Sequence, residues 1–142
     1  MQTIVPMLAY EDGITALEWL CRAFGFQEKA RWVDENGVLS HGEIALGDQV
    51  IMLAMPSPDY QGPKKHREQC EAARKWSQVP WIINGVMVYV DDIQTQYRQA
   101  KAAGATILSE LESTDIGTRY RAEDLEGQRW MFVQMPKAGT GL

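Results

Sequence analysis

The feature that most constrains this chain is repetition. Asp12 and Asp92 each stand just before a helical pattern, 92 − 12 = 80 residues apart. Gly25 and Gly104 each close that pattern, 104 − 25 = 79 apart. Gly47 and Gly127 each turn the chain into a last apolar strand, 127 − 47 = 80 apart. Met52 and Met131 sit at matching places in those strands, 131 − 52 = 79 apart. The segments SHGEIALGDQVIMLAM and YRAEDLEGQRWMFVQM have the same strand–turn–strand shape. Landmarks kept at one offset through five elements imply two copies of one supersecondary unit, each too small to bury a core alone.

Each copy reads as βαβββ. In the first, TIVPMLAY is a strand whose Pro6 places it where one N–H is not needed. Ile14, Leu17, Leu20 and Phe24 then recur at helical spacing, with Asp12 as N-cap and Gly25 as stop. FQEKARWVDE, VLSHGEIAL and QVIMLAM follow as strands, joined by the tight turns NG and GD. The second copy runs INGVMVYV, helix IQTQYRQAKAAG, ATILSELE, GTRYRAEDL and QRWMFVQM. The predicted organisation is one domain over 1–142, with modules at 1–55 and 81–136. The Pro-rich stretch 56–80 between them reads as a linker carrying a short helix near Lys65–Trp76.

Composition excludes several classes. A 45% hydrophobic and 23% charged content is that of a folded globular chain. No apolar run approaches the roughly 20 residues needed to span a bilayer. The net charge of −5 speaks against nucleic acid, which selects basic faces. The first ten residues lack a basic n-region and an apolar core, so no signal peptide is expected and the expected compartment is the cytoplasm. Cys21 and Cys70 are expected as free thiols.

The segments AYEDGITALEWLCRAFGF, VYVDDI and YRAEDLEGQRWMF, in this order, resemble the vicinal oxygen chelate superfamily of glyoxalase I, extradiol dioxygenases and bleomycin-resistance proteins. The resemblance covers nearly the whole chain. It implies an α+β fold of tandem βαβββ modules, each an incomplete curled sheet around a cavity with its helix outside. It also implies metal ligands on the first and last strands of each module, which map to Val5, Met52, Gly85 and Met131. Val and Gly side chains cannot ligate, and a thioether is a poor ligand for hard divalent ions. No metal and no other cofactor is therefore expected.

Strand alternation extends this reading. If Val5 and Gly85 face the cavity, so do Met7, Ala9, Met87 and Tyr89; if Met52 and Met131 face it, so do Val50, Ala54, Arg129 and Val133. Met7, Met52, Met87 and Met131 would then line one concave surface, suited to an adaptable binding site, though Met fills irregular cores as readily. On the third strands, Gly42, Ile44 and Leu46 are expected on the helix side, leaving His41 and Glu43 inward. In the second module, Tyr120 and Ala122 take the helix side and leave Arg121 and Glu123 inward. At an offset of 80, His41 matches Arg121 and Glu43 matches Glu123. His41 with Glu43 could do acid–base chemistry or sit in a solvated ion pair. Arg121 could hold a carboxylate or phosphate. His66 and Cys70, four apart on one expected helix, are a weak metal signal among solvated charges. Trp76 and Trp81 either cover the cavity mouth or anchor the linker.

Four functions follow from different readings. The first is a metal-free, bleomycin-resistance-like protein binding a small organic molecule, in which Met7, Met52, Met87, Tyr89, Arg121, Glu123 and Met131 form the site. The second is a glyoxalase-type lyase or isomerase with a divalent metal at other positions. The third uses His41 and Glu43 as acid and base without metal. The fourth is a ligand-free assembly module. The resemblance also implies a homodimer, which would cover strand edges.

Overall fold

The computed structural model describes residues 1–136, so 137–142 of the expected domain lie outside the description. Eight strands form two four-stranded sheets of the same design. The first holds β1 (Met7–Ala9), β2 (Gln27–Val33), β3 (Leu39–Leu46) and β4 (Gln49–Ala54) in the order β1-β4-β3-β2, with α1 (Gly13–Phe24) following β1. Then come α2 (Pro63–Gln69) and α3 (Glu71–Trp76). The second sheet holds β5 (Gly85–Tyr89), β6 (Thr106–Thr114), β7 (Gly117–Glu123) and β8 (Arg129–Gln134) in the order β5-β8-β7-β6, with α4 (Ile93–Ala102) following β5. In each sheet the first strand pairs parallel with the last, and the other pairs are antiparallel. Each sheet curls without closing, which is the expected α+β architecture.

Local chemistry explains the helices. Asp12 and Asp92 extend their backbones and accept from Thr15 N (3.1 Å) and Thr95 N (3.2 Å), so both are N-caps. Gly25 caps α1 in the left-handed region, and Gly104 follows the C-cap Ala103 of α4. The linker helix is not single. It breaks at Cys70, which is extended at φ −130° and serves as C-cap of α2 and N-cap of α3. The break takes Cys70 off the helical register of His66, so the pair is not aligned along one helix face.

Between the helices and sheets lies one core. Leu17 and Leu20 of α1 pack with Leu39, Ile44 and Leu53 of the first sheet. Tyr120, Ala122, Trp130 and Phe132 supply the second sheet's share. Phe24 joins the halves, with its ring 5.3 Å from Trp130 and 4.8 Å from Phe132. Trp19 Nε1 donates to Ala103 O (2.9 Å) across the two long helices. Leu46, expected to pack on the helix side with Gly42 and Ile44, is not buried there. It sits at the strand end, exposed, lining a groove of about 360 Å³ with Phe26, Val50, Val86 and Met87, between the start of β4 and edge strand β5.

The turn DLEG is the firmest tie between the modules. Asp124 Oδ2 accepts from Tyr10 Oη (2.6 Å) and Trp130 Nε1 (3.0 Å), and Oδ1 accepts from Glu126 N and Gln128 N (both 3.0 Å). Glu126 accepts from Glu11 N (2.7 Å) and Asp12 N (3.0 Å), and Gln128 Nε2 donates to Ala9 O (2.9 Å). Burial pushes the Asp124 carboxyl above its ordinary range, against the pull of these hydrogen bonds. Burial, then Asp124 itself, raises the Tyr10 hydroxyl well above its usual value. Gly127 is required at the end of this turn. Its φ is +90°, and a Cβ there would lie 2.7 Å from the Lys64 N that donates to Glu126 O.

Candidate functional site

Sheet register lays out the faces turned away from α1 and α4. In the first sheet one cross-strand row is Met7, Met52, Glu43 and Ala30; the next, set by Ala9 opposite Ala54 and Trp32 opposite His41, carries Ala9, Ala54, His41 and Trp32. In the second sheet the rows are Gly85, Arg129, Glu123 and Thr106; Met87, Met131, Arg121 and Ser109; and Tyr89, Val133, Arg119 and Glu112.

This register corrects one expected pairing. The Cα partner of Met52 is Glu43, and that of Met131 is Arg121. Glu43 therefore corresponds to Arg121 (121 − 43 = 78) and His41 to Arg119 (119 − 41 = 78), whereas Met52 and Met131 differ by 79. Matching at 80 displaces the third strands by two residues: Glu43 and Met52 are 52 − 43 = 9 positions apart, Arg121 and Met131 are 131 − 121 = 10 apart, so the second hairpin is one residue longer and no single offset fits both of its strands.

In the first module the floor is open. Met7, Ala9, His41, Met52, Ala54 and Pro56 line a hollow of about 200 Å³. Met7 is 78% exposed. At its side His41 Nε2 lies 2.8 Å from Glu43 Oε2, and both side chains are partly exposed. The Trp32 indole stacks on the imidazole, with centroids 4.6 Å apart and planes 28° apart. Nothing in the sequence marked Trp32, because the stacking follows from the bulged β2–β3 register. The result is a flat aromatic pair beside a carboxylate and two thioethers.

In the second module the 56–84 segment covers one end of the face. Arg129, buried, donates from Nη1 to Val79 O (2.6 Å) and Trp81 O (2.7 Å), from Nη2 to Ser77 O (2.6 Å) and from Nε to Glu123 Oε2 (3.2 Å). Arg67 of α2 grips both Glu123 oxygens, at 2.6 and 2.8 Å. Glu123 thus shares the inward row with Arg129, but its side chain is 3% exposed and both oxygens are engaged. It anchors the segment and is not a free contact for a ligand. Trp76 lines a hollow of about 280 Å³ beneath this segment, with Tyr60, His66 and Asn84. Trp81 is exposed, and its carbonyl is one of the anchors held by Arg129.

The other end is open. Met87, Tyr89, Ile116, Arg119, Met131 and Val133 line a hollow of about 290 Å³. Met87 and Tyr89 are 48% and 55% exposed. Arg121, on the same face, donates to Ser109 Oγ (3.2 Å). Within one chain the four methionines therefore occupy two hollows, Met7 with Met52 and Met87 with Met131, and not one continuous surface.

The positions that the family resemblance assigns to a metal do not suit one. Val5 offers no donor, and Met52 and Met131 offer thioethers. A Cβ at Gly85 would lie 2.3 Å from Arg129 O and 2.6 Å from Ile82 Cγ2, so no ligating side chain fits there without moving backbone. Among the described residues no three His, Cys, Asp or Glu side chains gather as a metal site.

Comparison with known proteins follows the geometry. The family model for the Glyoxalase/Bleomycin resistance protein/Dioxygenase superfamily matches residues 5–132. An uncharacterised protein of Mycobacterium bovis is 27% identical over 134 residues, 91% of this chain and 80% of that one. TioX from Micromonospora sp. ML1 superposes with a TM-score of 0.68 at 28% identity, covering 98% of this chain and 100% of that one. TnmS3 from Streptomyces sp. CB03234, an antibiotic binding protein, superposes at 0.67 with 14% identity, covering 96% and 97%. No described helix is long and apolar enough to cross a membrane.

Proposed function

Because this chain belongs to the glyoxalase/bleomycin resistance protein/dioxygenase superfamily, we propose that it binds a small, largely apolar organic molecule on its Met-floored sheet faces. The observation that carries this is the placing of exposed Met7 and Met87 and half-buried Met52 and Met131 at register positions turned away from the helices, each pair flooring a hollow. Exposed thioethers adapt to aromatic shapes and gain from sulfur–ring contact. Trp32 stacked on His41 adds a flat wall in the first module. That a protein of the same fold binds an antibiotic supports the reading by analogy of fold. The same faces suit a homodimer: Met7, Met87 and Tyr89 lie on edge strands, and pairing would cover those edges.

Native mass spectrometry against a panel of polycyclic aromatic compounds tests the binding reading. Retention of a compound by the wild type, and about tenfold weaker retention by Met52→Asp or Met131→Asp, is the expected result, since a charge in an apolar floor must be desolvated. Equal retention by the variants would overturn it.

A second reading has its own observation, the 2.8 Å His41–Glu43 contact beside an open hollow. That geometry suits an acid–base pair in a metal-independent isomerase or lyase. A pH–rate profile unchanged by His41→Ala and Glu43→Gln would remove it.

A further inference from the structure

We propose that the second module's open hollow is a subsite for an organic anion, with Arg119 and Arg121 holding the carboxylate or sulfonate of an aromatic acid whose rings lie on Met87, Tyr89 and Met131. This rests on the small-molecule reading and adds the ligand's charge and the module that reads it.

The register places the two arginines where the first module has His41 and Glu43. They are two residues apart on one strand, so their stems rise from the same face about 7 Å apart. The fold does not require cations there, since the equivalent face carries a histidine and a carboxylate. Their surroundings leave donors unused. Arg121 has no carboxylate partner among the described residues, and its one side-chain hydrogen bond goes to Ser109 Oγ at 3.2 Å. The buried Nε–H of Arg119 finds no acceptor among the described residues. Among the described residues the one carboxylate paired with Arg119 is Glu112, at 3.5 Å and itself mostly exposed. An exposed pair of that length is weak, and a better-placed anion displaces it. Arg67 and Arg129 on the covered end are different, because Glu123 and three carbonyls take up their donors. In a chain of net charge −5, an arginine lining an apolar hollow with a second one two residues along the same strand face is a specific arrangement. A guanidinium offers two parallel N–H groups matched to a carboxylate or sulfonate.

The test uses two dyes of one ring skeleton, titrated by fluorescence into the full chain: 1-anilinonaphthalene-8-sulfonate, an anion, and N-phenyl-1-naphthylamine, which is neutral. The wild type is expected to bind the anion at least about tenfold more tightly. Arg119→Gln with Arg121→Gln should cost the anion about tenfold or more and leave the neutral dye within about twofold. Glu112→Gln, which removes the competing carboxylate, should tighten the anion about two- to threefold. Equal binding of both dyes by the wild type would overturn the anion subsite and leave the small-molecule reading standing. An equal loss of both dyes in the double variant would also overturn it, because that is the mark of a structural role. Failure of the wild type to bind either dye would overturn both readings.

Discussion

The two sheets share a strand order and a register, yet their faces are put to different uses. The first sheet's face is open along both rows, from Met7 and Ala9 on β1 to Trp32 on β2. The second is divided. One end is spent holding the 56–84 segment through Arg129 and Glu123, and the other keeps Met87, Met131, Arg119 and Arg121 free. The same contrast holds in the turns. Gly47–Asp48 is a plain two-residue connection, while Asp124 to Gln128 carries the knot that joins the modules. A shared topology therefore fixes where a residue points and leaves open what it is used for.

The largest difference should appear at the position shared by Arg129 and Val50, which precede Met131 and Met52 by two residues. Arg129→Ala leaves three carbonyls without their donor and the buried Glu123 with Arg67 as its one remaining cation among the described residues, and should cost about 3–5 kcal/mol. Val50→Ala removes two methyl groups and should cost about 1–2 kcal/mol. Urea unfolding compares them, and limited proteolysis within 56–84 should rise only for Arg129→Ala. Equal losses would mean that the segment is not anchored through Arg129.

The turns give the next test. Asp124→Ala leaves the buried Tyr10 hydroxyl and Trp130 N–H unpaired and should cost about 2–4 kcal/mol, whereas Asp48→Ala should stay within about 0.5 kcal/mol. Acidity sharpens this. The folded pKa of Asp124 is raised, so its contribution is fully present below the unfolded value near 3.8 and is lost as pH rises through the folded value. Asp124→Asn should therefore recover stability relative to the wild type as pH climbs from about 4 toward neutrality. A difference between the two that does not change with pH would contradict the raised carboxyl.

Smallest in stability is Trp32→Ala. The ring is 61% exposed, so unfolding should shift by less than about 0.5 kcal/mol, while ligand retention by the first module should fall. Its counterpart Glu112→Ala should affect the second module's ligand alone.

Much of this fold was legible because the repeat is written in residues with local jobs. Asp caps a helix and Gly ends one wherever they occur, so Asp12, Asp92, Gly25 and Gly104 marked their elements from spacing alone. The side chosen by Tyr120, Ala122, Gly42 and Ile44 followed from alternation. Less legible were features set by length and distance. The unequal β3–β4 and β7–β8 hairpins shifted the match between His41, Glu43 and their counterparts, which hid Arg119 and the exchange of charge between the faces. The RYR pattern of Arg119 to Arg121 was the available signal, since alternation places both arginines on one face. Glu123 pointed as expected, but its partners lie 56 residues away on α2 and on the neighbouring strand, a distance over which a sequence pattern carries no information.

The DLEG knot also bears on how the chain is made. The Tyr10 hydroxyl, the Glu11 and Asp12 N–H groups and the Ala9 carbonyl find their partners in residues 124–128, more than a hundred positions later. During synthesis the first module emerges and waits, its Tyr10 unpaired and the Phe24 ring without the Trp130 surface it packs on. Such long-range closure raises contact order and delays the last step of folding until the final hairpin leaves the ribosome. Until then the apolar surface around Phe24 lies open to other nascent chains, and the interval is when this protein is most exposed to misassembly with its own kind.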